Sequence, residues 1–121
     1  MKHLVNWIEI PVADLNRAID FYSLILGIEI SRFEMGDALY GIFPSKDAKN
    51  TGALVQGEHY TPCSDGVTIY LDGGEDLNNI LSKVQPAGGE ILLEKTYLSE
   101  EAGYIGMFVD SEGNKIGLQH N

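Results

Sequence analysis

The chain states one pattern twice, and that duplication constrains its fold more than any other feature. Asp14-Leu15-Asn16 opens an apolar-periodic stretch that ends at Gly27, thirteen residues after Asp14, and Asp76-Leu77-Asn78 opens another that reaches Gly89, again thirteen later. Downstream, Tyr40-Gly41-Ile42-Phe43 is followed by Gly52 and Ile105-Gly106-Met107-Phe108 by Gly117, with eleven residues between the paired glycines in each copy. A half of about sixty residues is marginal alone. Two such halves must therefore fold together, and duplication of this kind creates a shared cleft that neither copy forms by itself.

Each copy reads as β-α-β-β-β. Residues 4 to 10 alternate as a strand, with Leu4, Asn6, Ile8 and Ile10 on one parity and Val5, Trp7 and Glu9 on the other. Asp14 is a helix N-cap, and Leu15, Ala18, Ile19, Tyr22, Ile25 and Leu26 form a stripe at helical spacing before the stop at Gly27. Strands follow at about 28–35, 38–44 and 51–57, the last two separated by the polar turn 45–50. In the second copy a strand at about 67–72 leads to a helix capped by Asp76 and ended by Pro86-Ala87-Gly88-Gly89. Strands at about 90–94, 103–109 and 114–120 complete it, the last two joined through a Glu-Gly-Asn turn at 112–114. The expected domain is thus a single one, with module one at about 3–57, an aperiodic connector at about 57–66 and module two at about 67–121.

Eight basic against eighteen acidic residues give a formal charge of −10, which argues against nucleic-acid binding, since phosphate recognition needs clustered Lys and Arg. No apolar run approaches the ~18 residues of a membrane span. The start carries no secretory pattern, and the single cysteine, Cys63, suits a reducing compartment. A cytoplasmic protein without membrane contact is expected.

The segments IPVADLNRAIDFYSLILG, PAGGEI and FVDSEGNKIGL together resemble the vicinal oxygen chelate superfamily, which includes glyoxalases, extradiol dioxygenases and bleomycin-resistance proteins. The resemblance covers essentially the whole chain. It implies an α+β fold of two tandem β-α-β-β-β modules forming a curved mixed sheet with a central cup, usually with a divalent metal on its floor, and a homodimer with cups near or across the subunit contact.

Metal catalysis in this family needs about four His, Glu or Gln donors with open positions for substrate oxygens. Carried onto this sequence, the ligand positions fall at Trp7, at Val67 or Thr68, at Gly117, and at its repeat partner Gly52. None is a useful donor. A two-residue shift along the strands brings in Leu54 or Gln56, Ile69 and Gln119, which yields only two neutral amides. His3, His59 and His120 form no ligand spacing and read as surface histidines, and Cys63 as an unreactive thiol. No metal and no other cofactor is therefore expected.

Trp7 and Glu9 share a strand face, so both are expected in the cup. Glu9 there would serve as a general base or engage a cationic group. Gly52 and Gly117 are expected to open volume, with Gln56, Tyr70 and Gln119 as further contacts. The reading that follows is metal-independent binding of a small organic ligand. A metal-dependent lyase or isomerase related to lactoylglutathione lyase, with Glu9 as catalytic base, is one alternative; a non-catalytic structural or regulatory dimer module is another.

Overall fold

The computed structural model describes residues 4–45 and 51–120. Within them, module one runs β1 (Ile8–Pro11), α1 (Leu15–Leu26), β2 (Ser31–Met35), β3 (Ala38–Ile42) and β4 (Gly52–Gln56). Module two runs β5 (Tyr70–Asp72), α2 (Asn78–Ala87), β6 (Glu90–Ser99), β7 (Gly103–Val109) and β8 (Lys115–His120). The two modules have the same topology. Sheet A has the order β1-β4-β3-β2 and sheet B the order β5-β8-β7-β6, with the first strand of each module parallel to its last. The architecture is α+β with two β-α-β-β-β modules, built as two four-stranded sheets rather than one continuous curved sheet. No helix among the described residues is long and apolar enough to cross a membrane. His3 and most of the 45–50 turn lie outside the described residues.

The helices follow their local signals. The Asp14 carboxylate accepts from the Arg17 backbone N–H at 3.2 Å, and Gly27 closes α1 at φ 63°, a left-handed conformation that costs glycine nothing. In the second module Asp76 accepts from Asn78 N–H at 3.0 Å, but Leu77 is the capping position, and the helix continues through Pro86 to end at Gly88. Pro86 is tolerated because it sits in the last turn, where its missing N–H removes only one hydrogen bond.

A single core joins the modules. Leu15, Ile19, Tyr22 and Ile25 of α1 and Ile80, Leu81 and Val84 of α2 cluster with Ile10 and Leu54 of sheet A and with Phe108, Ile116 and Leu118 of sheet B. Both sheets therefore turn their helix-covered faces into one interior, and the modules meet through α1 against α2, while β1 and β5 belong to separate sheets and are not hydrogen-bonded to each other. The opposite, open face of each sheet looks away from that core.

A buried polar knot fixes the relation between the modules. The Tyr22 hydroxyl on α1 donates to Asp110 Oδ2 at 2.6 Å, and Asp110 Oδ1 accepts from the backbone of Glu112 at 2.8 Å and of Asn114 at 2.9 Å. Asn114 Nδ2 donates to the Pro11 carbonyl at 2.7 Å, and its Oδ1 accepts from Cys63 N–H at 2.9 Å, so the β7–β8 turn also holds the end of β1 and the connector. Glu112, its side chain fully enclosed, accepts from the backbone of Ala13 and Asp14 and from the Arg17 guanidinium. Module two thereby caps the helix of module one.

The strand register corrects the glycine repeat. Gly41 pairs with Leu54, thirteen residues on, whereas Gly106 pairs with Leu118, only twelve on. The β3–β4 connection is one residue longer than its counterpart. The structural equivalent of Gly117 is consequently Ala53, and that of Gly52 is Ile116.

Candidate functional site: the open face of sheet A

Strand alternation sends Ile8 and Ile10 towards the helices and Glu9 to the open face, where it pairs in register with Ala53. Trp7 joins it there, donating its indole Nε1–H to Glu9 Oε2 at 3.1 Å. The other carboxylate oxygen, Oε1, accepts the Tyr60 hydroxyl at 2.7 Å. Tyr60 comes from the connector and packs on a buried cluster of Tyr40, Ala53 and Val55, flanked by Ala38 and Ile42. The result is a carboxylate fixed by two donors on an apolar floor, with Trp7 still 37 % exposed beside it. The Tyr60 hydroxyl is pushed up to about 12 by its hydrogen bond to Glu9, by burial and by the Glu9 charge, with a smaller effect from the Tyr40 hydroxyl. It remains a neutral donor at physiological pH. A crevice of about 200 Å³ runs from Glu9 and Pro11 to Cys63, Asp65, Asn114 and Lys115.

Sheet B presents a different open face. Tyr70, Gly117 and Gln119 lie on it with Ile105 and Met107, as the register pairs show, and a concavity of about 470 Å³ spans Tyr70, Asp72, Gln119 and His120. Gln119 Nε2 is already committed to the Ala102 carbonyl at 2.9 Å.

Three of the residues expected in the cup sit otherwise. Gly52 pairs with Ile8 on the helix-covered face, where an added Cβ would run into the Ile8 carbonyl; its glycine serves close strand approach and opens no volume. Gln56 lies on that same face, and its Oε1 accepts from Leu15 N–H at 2.8 Å as part of the α1 N-terminus. Gly117 does lie on the open face, but the Tyr70 ring fills the space above it, with Tyr70 Cδ1 2.5 Å from where a Cβ would be. Trp7, Glu9, Tyr70 and Gln119 are on open faces, the first two on sheet A and the last two on sheet B. One chain does not bring the two pairs together.

Tyr60 was not visible to sequence reasoning, because the connector has no periodicity from which to assign a face. Its only signal is the position just past Gly57, whose carbonyl accepts the Tyr60 N–H at 3.2 Å and turns the chain back over β4. His59 is exposed on the connector, and His120 stacks on Tyr104 at 5.8 Å. Cys63 is exposed, and its sulfur accepts from Asp65 N–H at 3.2 Å.

The side chains present do not suit a divalent metal. Register places Trp7 opposite Thr68 in the repeat and Ala53 opposite Gly117, so the four family positions offer one hydroxyl and no carboxylate, imidazole or amide. Among the described residues, no group of three or more His, Cys, Asp or Glu side chains is placed to hold an ion.

Comparison with known proteins agrees with this architecture. The family model of the Glyoxalase/Bleomycin resistance protein/Dioxygenase superfamily matches residues 4–118. No curated protein sequence matches the chain significantly. Among solved structures, a glyoxalase/bleomycin resistance protein from Albidiferax ferrireducens T118 is similar at 19 % identity and a TM-score of 0.71, over 98 % of this chain and 99 % of that one. TnmS3, an antibiotic binding protein from Streptomyces sp. CB03234, is similar at 21 % identity and a TM-score of 0.64, over 98 % and 95 %. Glyoxalase I from Zea mays is similar at 22 % identity and a TM-score of 0.64, over 94 % of this chain but only 44 % of its own length. Identities this low speak for the fold, and the family match over nearly the whole chain adds the lineage: the chain belongs to the Glyoxalase/Bleomycin resistance protein/Dioxygenase superfamily.

Proposed function

We propose that the protein binds a small organic ligand against the open face of sheet A, without a metal, in a cup completed by the open face of sheet B from a second copy. The observation that carries this is the Trp7–Glu9–Tyr60 cluster: an exposed indole and an oriented carboxylate over an apolar floor, where the family's metal chemistry would need donors. An indole supplies stacking area and the carboxylate supplies direction. The antibiotic-binding activity named for TnmS3 is a relevant precedent on the same fold.

The second copy is supported by what one chain leaves open. β1 and β5 each have one unpaired edge, and Phe33, Met35 and Tyr70 remain about half exposed on the open faces. Two-fold pairing is the commonest way to cover such surfaces. Each cup would then combine Trp7, Glu9 and Tyr60 of one chain with Tyr70, Asp72 and Gln119 of the other. Its single, exposed cysteine also suits a reducing, cytoplasmic location.

Trp7 is the chain's only tryptophan, so its fluorescence reports this face alone. Titration with a panel of aromatic fragments should perturb it, and Trp7→Ala should weaken binding by roughly 1–3 kcal/mol through lost contact area. Elemental analysis should find far less than one equivalent of transition metal. Stoichiometric Ni, Zn or Mn would overturn the metal-free reading in favour of the lyase alternative, and a strict monomer in micromolar sedimentation runs would remove the two-chain cup.

A further inference from the structure

From the surroundings of Glu9 we infer that the ligand is an organic cation, an ammonium or guanidinium group carried on an apolar or aromatic body; this rests on the reading that the open face of sheet A is a ligand site. The Glu9 carboxylate is oriented on both sides, Oε2 by Trp7 and Oε1 by Tyr60, so it cannot swing to solvent without breaking two hydrogen bonds. Each oxygen nevertheless keeps further acceptor capacity, since a carboxylate offers about four lone-pair sites. Both donors are neutral. The negative charge is directed but not neutralised.

Among the described residues no cation neutralises it. Arg17 pairs with Glu112, and Lys95 pairs with Asp76 beneath the Tyr104 ring. Arg32 bonds to Asn16, and Lys83 lies on α2. Lys115 lines the crevice next to Glu9, but so does Asp65, which leaves that crevice with two carboxylates to one ammonium. Across the whole chain the formal charge is −10.

These facts select among ligands by charge. A neutral molecule seated on Trp7 would strip water from a carboxylate and give it no partner, which sets a desolvation cost against the stacking gain. An anion would add repulsion to that cost. A cation removes the penalty, and one with its charge spread over carbon gains again from the electron-rich faces of Trp7 and Tyr60. The acidic surface adds long-range attraction to the same class of molecule.

The test compares benzyltrimethylammonium with neopentylbenzene, its neutral carbon isostere, by following the single indole Nε1–H signal of Trp7 on the intact protein. The cation should bind at least tenfold tighter, weaken severalfold between low and moderate salt, and lose about tenfold on Glu9→Gln. The salt series on the unaltered protein stands in should Glu9→Gln disturb folding. Equal binding of the two probes, or binding of the cation that ignores both salt and Glu9→Gln, overturns the inference and leaves a small-ligand site intact. Failure of both probes to move the indole also overturns it. Failure of the whole neutral and charged fragment panel would in addition remove the ligand site itself.

Discussion

Tyr22→Phe removes one oxygen from the most enclosed part of the molecule, and the structure allows its cost to be worked out. Tyr22 is fully buried, with its ring edge-on to Phe21 at 5.1 Å and to Phe43 at 6.1 Å, so the phenyl replacement keeps the packing. What is lost is one donor to Asp110, itself only 3 % exposed. Burial first, and the neighbouring Asp110 charge second, hold the Tyr22 hydroxyl well above its ordinary value, so it is protonated and donates at neutral pH. A hydrogen bond to a charged group contributes about 1.5–3 kcal/mol. Asp110 retains three other donors, the Glu112 and Asn114 backbones and Asn114 Nδ2, which keeps the loss near 2 kcal/mol rather than at the larger cost of an unpaired buried charge.

At this chain length about 2 kcal/mol corresponds to a fall in Tm of roughly 6–10 °C. The assay is urea unfolding at fixed protein concentration, because assembly would otherwise shift the midpoint. Asp110→Asn provides the contrast: its amide nitrogen would face either two backbone N–H groups or Asn114 Nδ2 beside a Tyr22 hydroxyl forced to turn from donor to acceptor. It should therefore cost more than Tyr22→Phe despite its matched shape. A Tyr22→Phe protein within about 0.5 kcal/mol of the parent would refute the idea that this knot sets the relation between modules.

Glu112→Gln should expose a pH-dependent tie. Burial pushes the Glu112 carboxyl up, but hydrogen bonds from Arg17, from the Asp14 backbone and from Ser111 outweigh it and hold the group below its ordinary value of 4.5. Its contribution is then fully present above that value and fades as pH falls through the lower folded one, so the parent's stability advantage over Glu112→Gln should shrink on acidification; an advantage constant from pH 7 to 3 would contradict this. Gly52→Ala should destabilise by about 2–3 kcal/mol, because the new methyl meets the Ile8 backbone carbonyl, whereas Gly117→Ala meets only the side chain of Tyr70, a residue 42 % exposed, and should cost about 1 kcal/mol. Equal losses in urea unfolding would show that the faces are misassigned.

Much of the fold was legible because its signals are local. Asp14 and Gly27 bracket α1 by capping chemistry alone, and the period-two pattern of residues 7–10 put Trp7 and Glu9 on one face, where the structure has them. The glycine repeat misled because strand register depends on the length of the connecting turn, and one extra residue there sends Gly52 to the opposite face from Gly117. Gln56 followed the same slip. Tyr60 stayed hidden because its place over Glu9 comes from a non-periodic loop, and the empty space expected above Gly117 was invisible as filled until the Tyr70 ring could be seen across the parallel pair.

Register-matched positions in the two modules show where the copies have stayed alike and where they have parted. At the centre of the helix-covered faces the pairs are near-identical, Gly41 with Gly106, Leu54 with Leu118 and Ile10 with Leu71, while at the strand ends Gly52 stands against Ile116 and Gln56 against His120. Ile10, Leu54, Leu71 and Leu118 pack into one core, so a change in either copy disturbs the packing of both. The open faces carry no such restraint, and there Trp7 stands against Thr68, Glu9 against Tyr70, Ala53 against Gly117 and Val55 against Gln119. Sheet A thus supplies the fixed charge and the indole, while sheet B supplies a half-exposed phenol ring and an amide. Under the proposed two-chain cup, a site made from one of each has complementary walls, whereas a site made from two copies of sheet A would set two Glu9 carboxylates face to face and repel itself. Pairing A with B across a two-fold axis yields two equal sites, so saturation should come at one ligand per chain; half that stoichiometry would mean that like faces meet.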